Sequence, residues 1–218
     1  MRDAPSTRRF DHEPVAHDVL VRVLDNARFA PSGGNRQGWR VVAVADAQRR
    51  RALADLYQPH WRAYMEQTGG AASLRDPGDL PPGRLRSLRQ ADEYARRLHD
   101  VPLHLVVCVV LSDLAVTDAE LDRPSIVGGA SVYPFVQNVL LGLRAEGLGA
   151  SLTTLLVPAE AQVKQLLEIP QDVALAAHIG VGRRCDPWPK RLSRRPVERF
   201  AFAERFGAPL VSGNGAEA

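Results

Sequence analysis

Ser32, Asn35 and Gln37 lie within six residues, directly after Pro31 and interleaved with Gly33, Gly34 and Gly38. A hydroxyl and two carboxamides set among glycines bring short donors and bare backbone N–H groups close to a planar ligand. Ser32 and Asn35 equally suit a self-contained turn, in which their side chains bond local backbone. Trp39, just beyond, reads as core. A second chemistry-bearing set is basic: Arg8 and Arg9 near the start, and Lys190, Arg191, Arg194 and Arg195 near the end. Guanidinium groups offer planar, bidentate contacts to phosphate or carboxylate. The plainer readings are an exposed basic turn at the first pair and a solvated tail at the second cluster.

Other chemistries find little support. The six histidines (His12, His17, His60, His99, His104, His178) stand singly, without H-x-H or H-E-x-x-H spacing, so no metal site is expected. Gly129-Ala130-Ser131 and Gly149-Ala150-Ser151 lack the closing glycine of a nucleophile elbow. No Walker A sequence occurs, and no spacing singles out a carboxylate pair for glycoside chemistry. Gly180-Val181-Gly182 runs into arginines without a third glycine, which argues against a dinucleotide-binding doubly wound sheet. With protein nucleophiles and metals poorly supported, the chemistry of a borrowed cofactor gains weight.

Composition sets the frame. At 218 residues, 45% hydrophobic and 24% charged, the sequence suits one globular domain over 1–218 with a substantial core. The net charge of +3 (28 basic against 25 acidic) does not suggest a nucleic-acid partner. Lys164 and Lys190 are the only lysines, and a general bias in base composition accounts for arginine usage as a whole. Cys108 and Cys185 form no disulfide framework, and Met1–Pro5 has no apolar stretch behind it, so a cytoplasmic protein is expected. The apolar segment Leu103–Leu111 is too short to span a bilayer.

The elements that must position these residues follow from periodicity. Leu20, Val23, Leu24 and Ala27 predict a helix over 18–30, stopped by Pro31; 40–45 reads as a strand. Asp46 caps a helix over 47–57, with a second piece over 60–67. Residues 69–83, rich in Gly, Pro, Asp and Ser, read as a surface loop and the natural place for a lid. A charged helix covers 84–99, and the β-branched run Val106–Val110 predicts a buried strand over 103–111. Val132, Val136, Val139, Leu140 and Leu143 share one face of a helix over 130–145, with Gly147 at its left-handed end. Strands at 149–155 and 174–181 flank a helix opened by Pro158. Ser125–Tyr133 has two readings: Gly128-Gly129 gives a ligand close access to backbone, or a helix starts there with Ser131 as cap. From about 183 to 218 an extended tail carries Val197, Phe200, Phe202, Phe206, Leu210 and Val211. Each costs roughly 1.5–3 kcal/mol if left in water, so packing on a partner subunit is expected.

Four segments in order resemble the FMN-dependent nitroreductase family. They are Ser6-Thr7-Arg8-Arg9-Phe10 with Glu13-Pro14-Val15, the Ala30–Trp39 stretch (A-P-S-x-x-N-x-Q-x-W), Gln137-Asn138-Val139-Leu140-Leu141 through Gly147-Leu148-Gly149, and Gly180–Gly182 with Arg194-Arg195-Pro196. The resemblance implies an α+β fold, a central mostly antiparallel sheet flanked by helices. It implies an intertwined homodimer with FMN at the subunit interface. The FMN-contacting residues it implies are Ser6, Thr7 and Arg8, then Pro31, Ser32, Gly33, Asn35 and Gln37, then Leu152, Thr153 and Thr154, and finally Arg191 and Arg194. Arg8 and Arg194 would serve the phosphate, Ser6, Ser32 and Asn35 the ribityl chain and ring edge, and backbone at Leu152–Thr154 the flavin N5. No residue is expected to be catalytic in its own right.

The implied activity is FMN-dependent NADH or NADPH oxidation coupled to a small-molecule acceptor: a nitroaromatic, quinone or activated alkene. Flavin fragmentation, reductive dehalogenation and non-catalytic flavin binding are the alternatives on the same scaffold. Two departures stand out. The family's first arginine falls at Ala4, so one phosphate ligand is missing and Arg2 or the C-terminal arginines are expected to replace it, and the proline of its Q-P-W triplet is Gly38.

Overall fold

The computed structural model describes residues 1–210; Val211, expected among the apolar tail positions, lies outside them. Along the chain run α1 (His17–Ala27), β1 (Trp39–Val44), α2 (Ala47–Gln67), α3 (Gly70–Arg75) and α4 (Pro82–Arg96). They are followed by β2 (Leu103–Val110), α5 (Tyr133–Ala145), β3 (Leu148–Thr153), α6 (Glu160–Leu167) and β4 (Val173–Arg183). The four strands form one sheet in the order β1-β2-β4-β3, every neighbouring pair antiparallel. The expected α+β architecture is what the chain adopts.

β2 is one of the two inner strands, and its side chains serve two cores by simple alternation. Leu103, Leu105, Val107 and Val109 face α1 and α5, while Val106 and Cys108 face α2, α4 and α6. Its partner β4 behaves differently. Val173 and Leu175 face the second core, whereas Ala177, Ile179 and Val181 face the first. Odd-numbered residues therefore change faces midway. A bulge causes this: Val107 pairs with Ala177 and Cys108 with Leu175, leaving Ala176 unpaired. The freed Ala176 carbonyl accepts the Tyr133 hydroxyl at 3.2 Å.

Several boundaries correct the sequence reading. Residues 47–67 form one helix, not two, because Leu53, Ala54, Tyr57, Trp61 and Met65 keep a continuous buried face while Pro59 sits on the exposed side. The Asp46 carboxylate caps it as expected, accepting the Arg49 N–H at 2.8 Å. Proline inside a helix leaves one carbonyl without its donor and crowds the preceding turn. Pro59→Ala is therefore expected to stabilise the protein by about 1–3 kcal/mol, read as a higher urea midpoint. The loop expected over 69–83 holds α3, docked by Ala71 and Leu74, with Gly69 in the left-handed region (φ 72°) making the corner. α1 ends at Ala27, short of Pro31, and α5 begins at Tyr133 after a tight turn over Val127–Ser131.

Two histidines occupy the second core. His104 Nε2 donates to the Leu98 carbonyl at 3.0 Å, and His178 Nε2 then donates to His104 Nδ1 at 2.9 Å. His178 Nδ1 is buried with no hydrogen-bond partner among the described residues. Burial holds both rings below the ordinary histidine range, His178 down to about 4.

The N-terminal segment and the tail run together along the open edge of β3 and the end of β4. Ser6 pairs in parallel with Ala150, Phe10 pairs with Arg184, and the Leu192 N–H donates to the Arg2 carbonyl at 2.8 Å. Beyond them, Val197, Phe200, Phe206 and Leu210 are exposed, Phe206 at 94%. Among the described residues no helix is long and apolar enough to cross a membrane.

Candidate functional site

The turn after α1 is held by its own side chains. Ser32 Oγ accepts the Gln37 N–H at 3.1 Å, Gln37 Nε2 donates to Asn35 Oδ1 at 3.1 Å, and the Gly33 N–H donates to Ser131 Oγ at 3.0 Å. Ser131 is thus a tether for this turn and not a helix cap. Asn35 (φ 54°) and Gln37 (φ 51°) are both left-handed, a conformation that costs roughly 1–2 kcal/mol for a residue with a Cβ. The strain is held in place by those bonds, and it leaves Gly33, Asn35 and Gln37 exposed at the surface with Pro31. Trp39 is core, as expected, stacked on Phe135 with centroids 4.9 Å apart.

The second part of the site is built on the edge of β3. The Thr7 N–H donates to the Ala150 carbonyl at 2.8 Å, and Thr7 is fully buried. Ala150 therefore turns its backbone toward the N-terminal segment and not toward β4. By the two-residue alternation of an antiparallel ladder, Leu152 presents its N–H and carbonyl on the same side, past the end of that short pairing. Its side chain is exposed as well. Thr153 Oγ accepts the Leu155 N–H at 3.2 Å, and Thr154 is exposed at the turn that follows.

Beside this edge is a hollow of about 360 Å³ whose lining includes Ser6, Gln137, Arg144, Leu152, Trp188 and Arg194. Its lining thus combines one hydroxyl and two guanidinium groups with the apolar side chains of Leu140, Leu141 and Leu148. Three of the residues singled out from sequence, Ser6, Leu152 and Arg194, thus come together. Arg8 does not join them. It lines a different hollow of about 220 Å³ with Tyr94, Arg97 and Cys185. Its side chain makes no ion pair or hydrogen bond among the described residues, and its charge acts on two buried phenols. Burial pushes Tyr94 and Tyr57 up, and Arg8 opposes both shifts. Arg191 is exposed on the tail, and the 31–37 turn borders neither hollow within one chain.

Sequence reasoning missed Arg144 and Trp188. Arg144 Nη2 donates to Asp3 at 2.6 Å, and its guanidinium lies over the Trp188 ring, 3.9 Å from the centroid. The one signal for Arg144 was its place in the last turn of α5, one turn below Leu140 and Leu141. Among the described residues no group of three or more His, Cys, Asp or Glu could hold a metal ion.

Comparison with known proteins agrees with this architecture. The sequence profile described as the nitroreductase family matches residues 2–183. The 5,6-dimethylbenzimidazole synthase of Rhodospirillum rubrum is 28% identical over 210 residues, covering 94% of this chain and 87% of that protein. The nitrobenzene nitroreductase of Ectopseudomonas oleovorans is 22% identical, covering 92% and 93%. The NADPH:FMN oxidoreductase of Vibrio harveyi, solved with NAD+, superposes with a TM-score of 0.63 at 19% identity, covering 93% of this chain and 74% of that one, a likeness of fold. A profile match across most of the chain, on an antiparallel four-stranded sheet with the expected motif order, makes this protein a member of the nitroreductase family.

Proposed function

We propose that the protein binds FMN and oxidises NADH or NADPH, passing the reducing equivalents to a small nitroaromatic, quinone or activated alkene. The observation that carries this reading is the hollow at the β3 edge, where Ser6, Arg194 and the open backbone donor of Leu152 meet. The donor set suits the cofactor. Guanidinium and hydroxyl groups match a phosphate dianion, the lining leucines match an aromatic ring system, and a backbone N–H on a free strand edge matches a ring nitrogen. Bound there, FMN supplies hydride acceptance and donation at N5.

The protein's part is binding and orientation. Arg194 and Ser6 would hold the anionic end, the lining leucines would exclude water from the ring system, and the Leu152 N–H would favour an electron-rich form of a ring atom beside it. Arg8, without a hydrogen-bond or ion-pair partner among the described residues, supplies positive charge beside Tyr57 and Tyr94. The 31–37 turn borders neither hollow in one chain, and the tail leaves phenylalanines uncovered. A two-fold homodimer resolves both, one copy's turn completing the other's hollow while the tails wrap the partner.

The test is oxidation of NADH and NADPH by the FMN-loaded protein, with and without nitrobenzene or a quinone. Acceptor-dependent turnover with the flavin spectrum unchanged at the end supports the reading. A loaded protein that oxidises neither nucleotide contradicts it. The 28% identity to a 5,6-dimethylbenzimidazole synthase along nearly the whole chain favours flavin fragmentation as the second reading. Aerobic incubation with reduced FMN separates the two, because fragmentation consumes the flavin absorbance and leaves a benzimidazole.

A further inference from the structure

Resting on the FMN reading above, we propose that Arg144 is the phosphate ligand replacing the missing N-terminal arginine, and that the Asp3 carboxylate occupies its place until phosphate displaces it. The sequence removes one expected ligand at Ala4, and a phosphate dianion held by Arg194 and Ser6 alone is under-compensated. Of the side chains lining the hollow, Arg144 and Arg194 are the two cations. They arrive from different parts of the chain, Arg144 from the last turn of α5 and Arg194 from the tail.

The surroundings of Arg144 are those of a prepared anion site. The Trp188 ring covers one face of the guanidinium at 3.9 Å, which fixes its plane without using any of its N–H groups. Arg144 Nε is shut off from solvent with no hydrogen-bond partner, and the one hydrogen bond the side chain makes among the described residues is Nη2 to Asp3. A guanidinium with five donors and one acceptor is short of anionic oxygens. The backbone is held on either side of Asp3, at Arg2 and at Ser6, but its side chain is 37% exposed, so the carboxylate can leave Arg144 by rotating toward solvent and the Met1 ammonium, 3.8 Å away. A carboxylate left beside a bound phosphate dianion would repel it, so the two anions compete for Arg144. Arg8, by contrast, lines the other hollow and is assigned no part in phosphate binding.

FMN and riboflavin share ring and ribityl chain and differ only in the phosphate, so their affinities isolate its contribution. Dissociation constants of both for the flavin-free protein are measured by fluorescence quenching at one ionic strength. In Arg144→Met the FMN constant should rise about tenfold or more, the size expected for a lost charge-assisted contact, with riboflavin moving less than about twofold. In Asp3→Asn the change should run the other way: FMN binds a few-fold tighter and riboflavin is unmoved. An FMN-to-riboflavin ratio that stays at the wild-type value in Arg144→Met overturns the inference. So does equal weakening of both flavins, which is what a merely structural pin would give. If Arg144→Met cannot be obtained folded, Asp3→Asn decides, and an unchanged ratio there overturns it. Wild-type protein that binds neither flavin removes the FMN reading itself, an outcome distinct from lost selectivity.

Discussion

Taking the protein from pH 7 to pH 4.5 should lower its unfolding free energy by about 2–3 kcal/mol through His178 alone, with His104 adding in the same direction. Both rings are neutral in the folded chain because burial penalises the charged form, and His178 titrates at about 4 against an ordinary value near 6.5. The folded pKa is depressed, and the group is a base. Below pH 6.5 the unfolded chain therefore takes up protons that the folded chain refuses. Stability is fully present above that pH and is lost as pH falls toward 4. The hydrogen-bond order sharpens the effect. His104 keeps Nε2–H for the Leu98 carbonyl and an open Nδ1 for His178, so the pair has one shared proton position between the rings, and protonating both rings would put two N–H groups face to face. Urea denaturation at pH 7, 5.5 and 4.5 measures the slope. The double variant His104→Leu/His178→Leu, less stable at pH 7, should flatten it. Equal urea midpoints for the wild type across that range would contradict this account of the core.

Gly149→Val should weaken FMN binding by about a hundredfold or more while leaving most of the fold intact. A Cβ at Gly149 would stand 2.5 Å from Thr7 Oγ1 and 2.7 Å from Thr7 Cγ2, and Thr7 is fully buried with no room to turn away. The branched side chain of valine must therefore drive the N-terminal segment off the β3 edge, carrying Ser6 and Arg8 with it. That segment contributes to neither main core apart from Phe10, so the loss should fall on the site more than on the sheet. Calorimetric titration with FMN, together with a thermal melt, separates the two effects. Unaltered FMN affinity would mean that the N-terminal segment does not build the site.

Legibility in the sequence follows locality. Residues 103–110 could be read because seven of the eight positions are apolar and four of those are valine, a run that suits a strand buried on both faces. α5 and the Gly147 corner (φ 78°) were equally plain, a periodic apolar stripe with a glycine where a left-handed residue is needed. Pro59 misled because its cost depends on which side of α2 it faces, and that is set by tertiary packing. The Gly, Ala and Ser of α3 carry no periodic signal, and the helix exists because Ala71 and Leu74 find the core. The Ala176 bulge left no trace, since alternation on either side of it looks regular.

In the site, the local turn at 31–37 was visible from residue types. The gathering of Ser6, Leu152 and Arg194 depended on motif order, because no short-range pattern joins positions so far apart. Arg144 and Trp188 meet only because the tail returns along the N-terminal segment through the Leu192–Arg2 bond, a long-range fact of topology. Arg8 and Arg194 were expected at one phosphate, and a single chain places them at two hollows.

The most direct measurement is a titration of the purified, flavin-free protein with FMN, following the visible absorbance and fluorescence of the flavin. Saturation near one FMN per chain, with quenched emission and resolved vibronic structure, is the expected result for a ring seated at the β3 edge and shielded from water. A spectrum that remains that of free FMN at every ratio would contradict the assignment of this edge as a flavin seat.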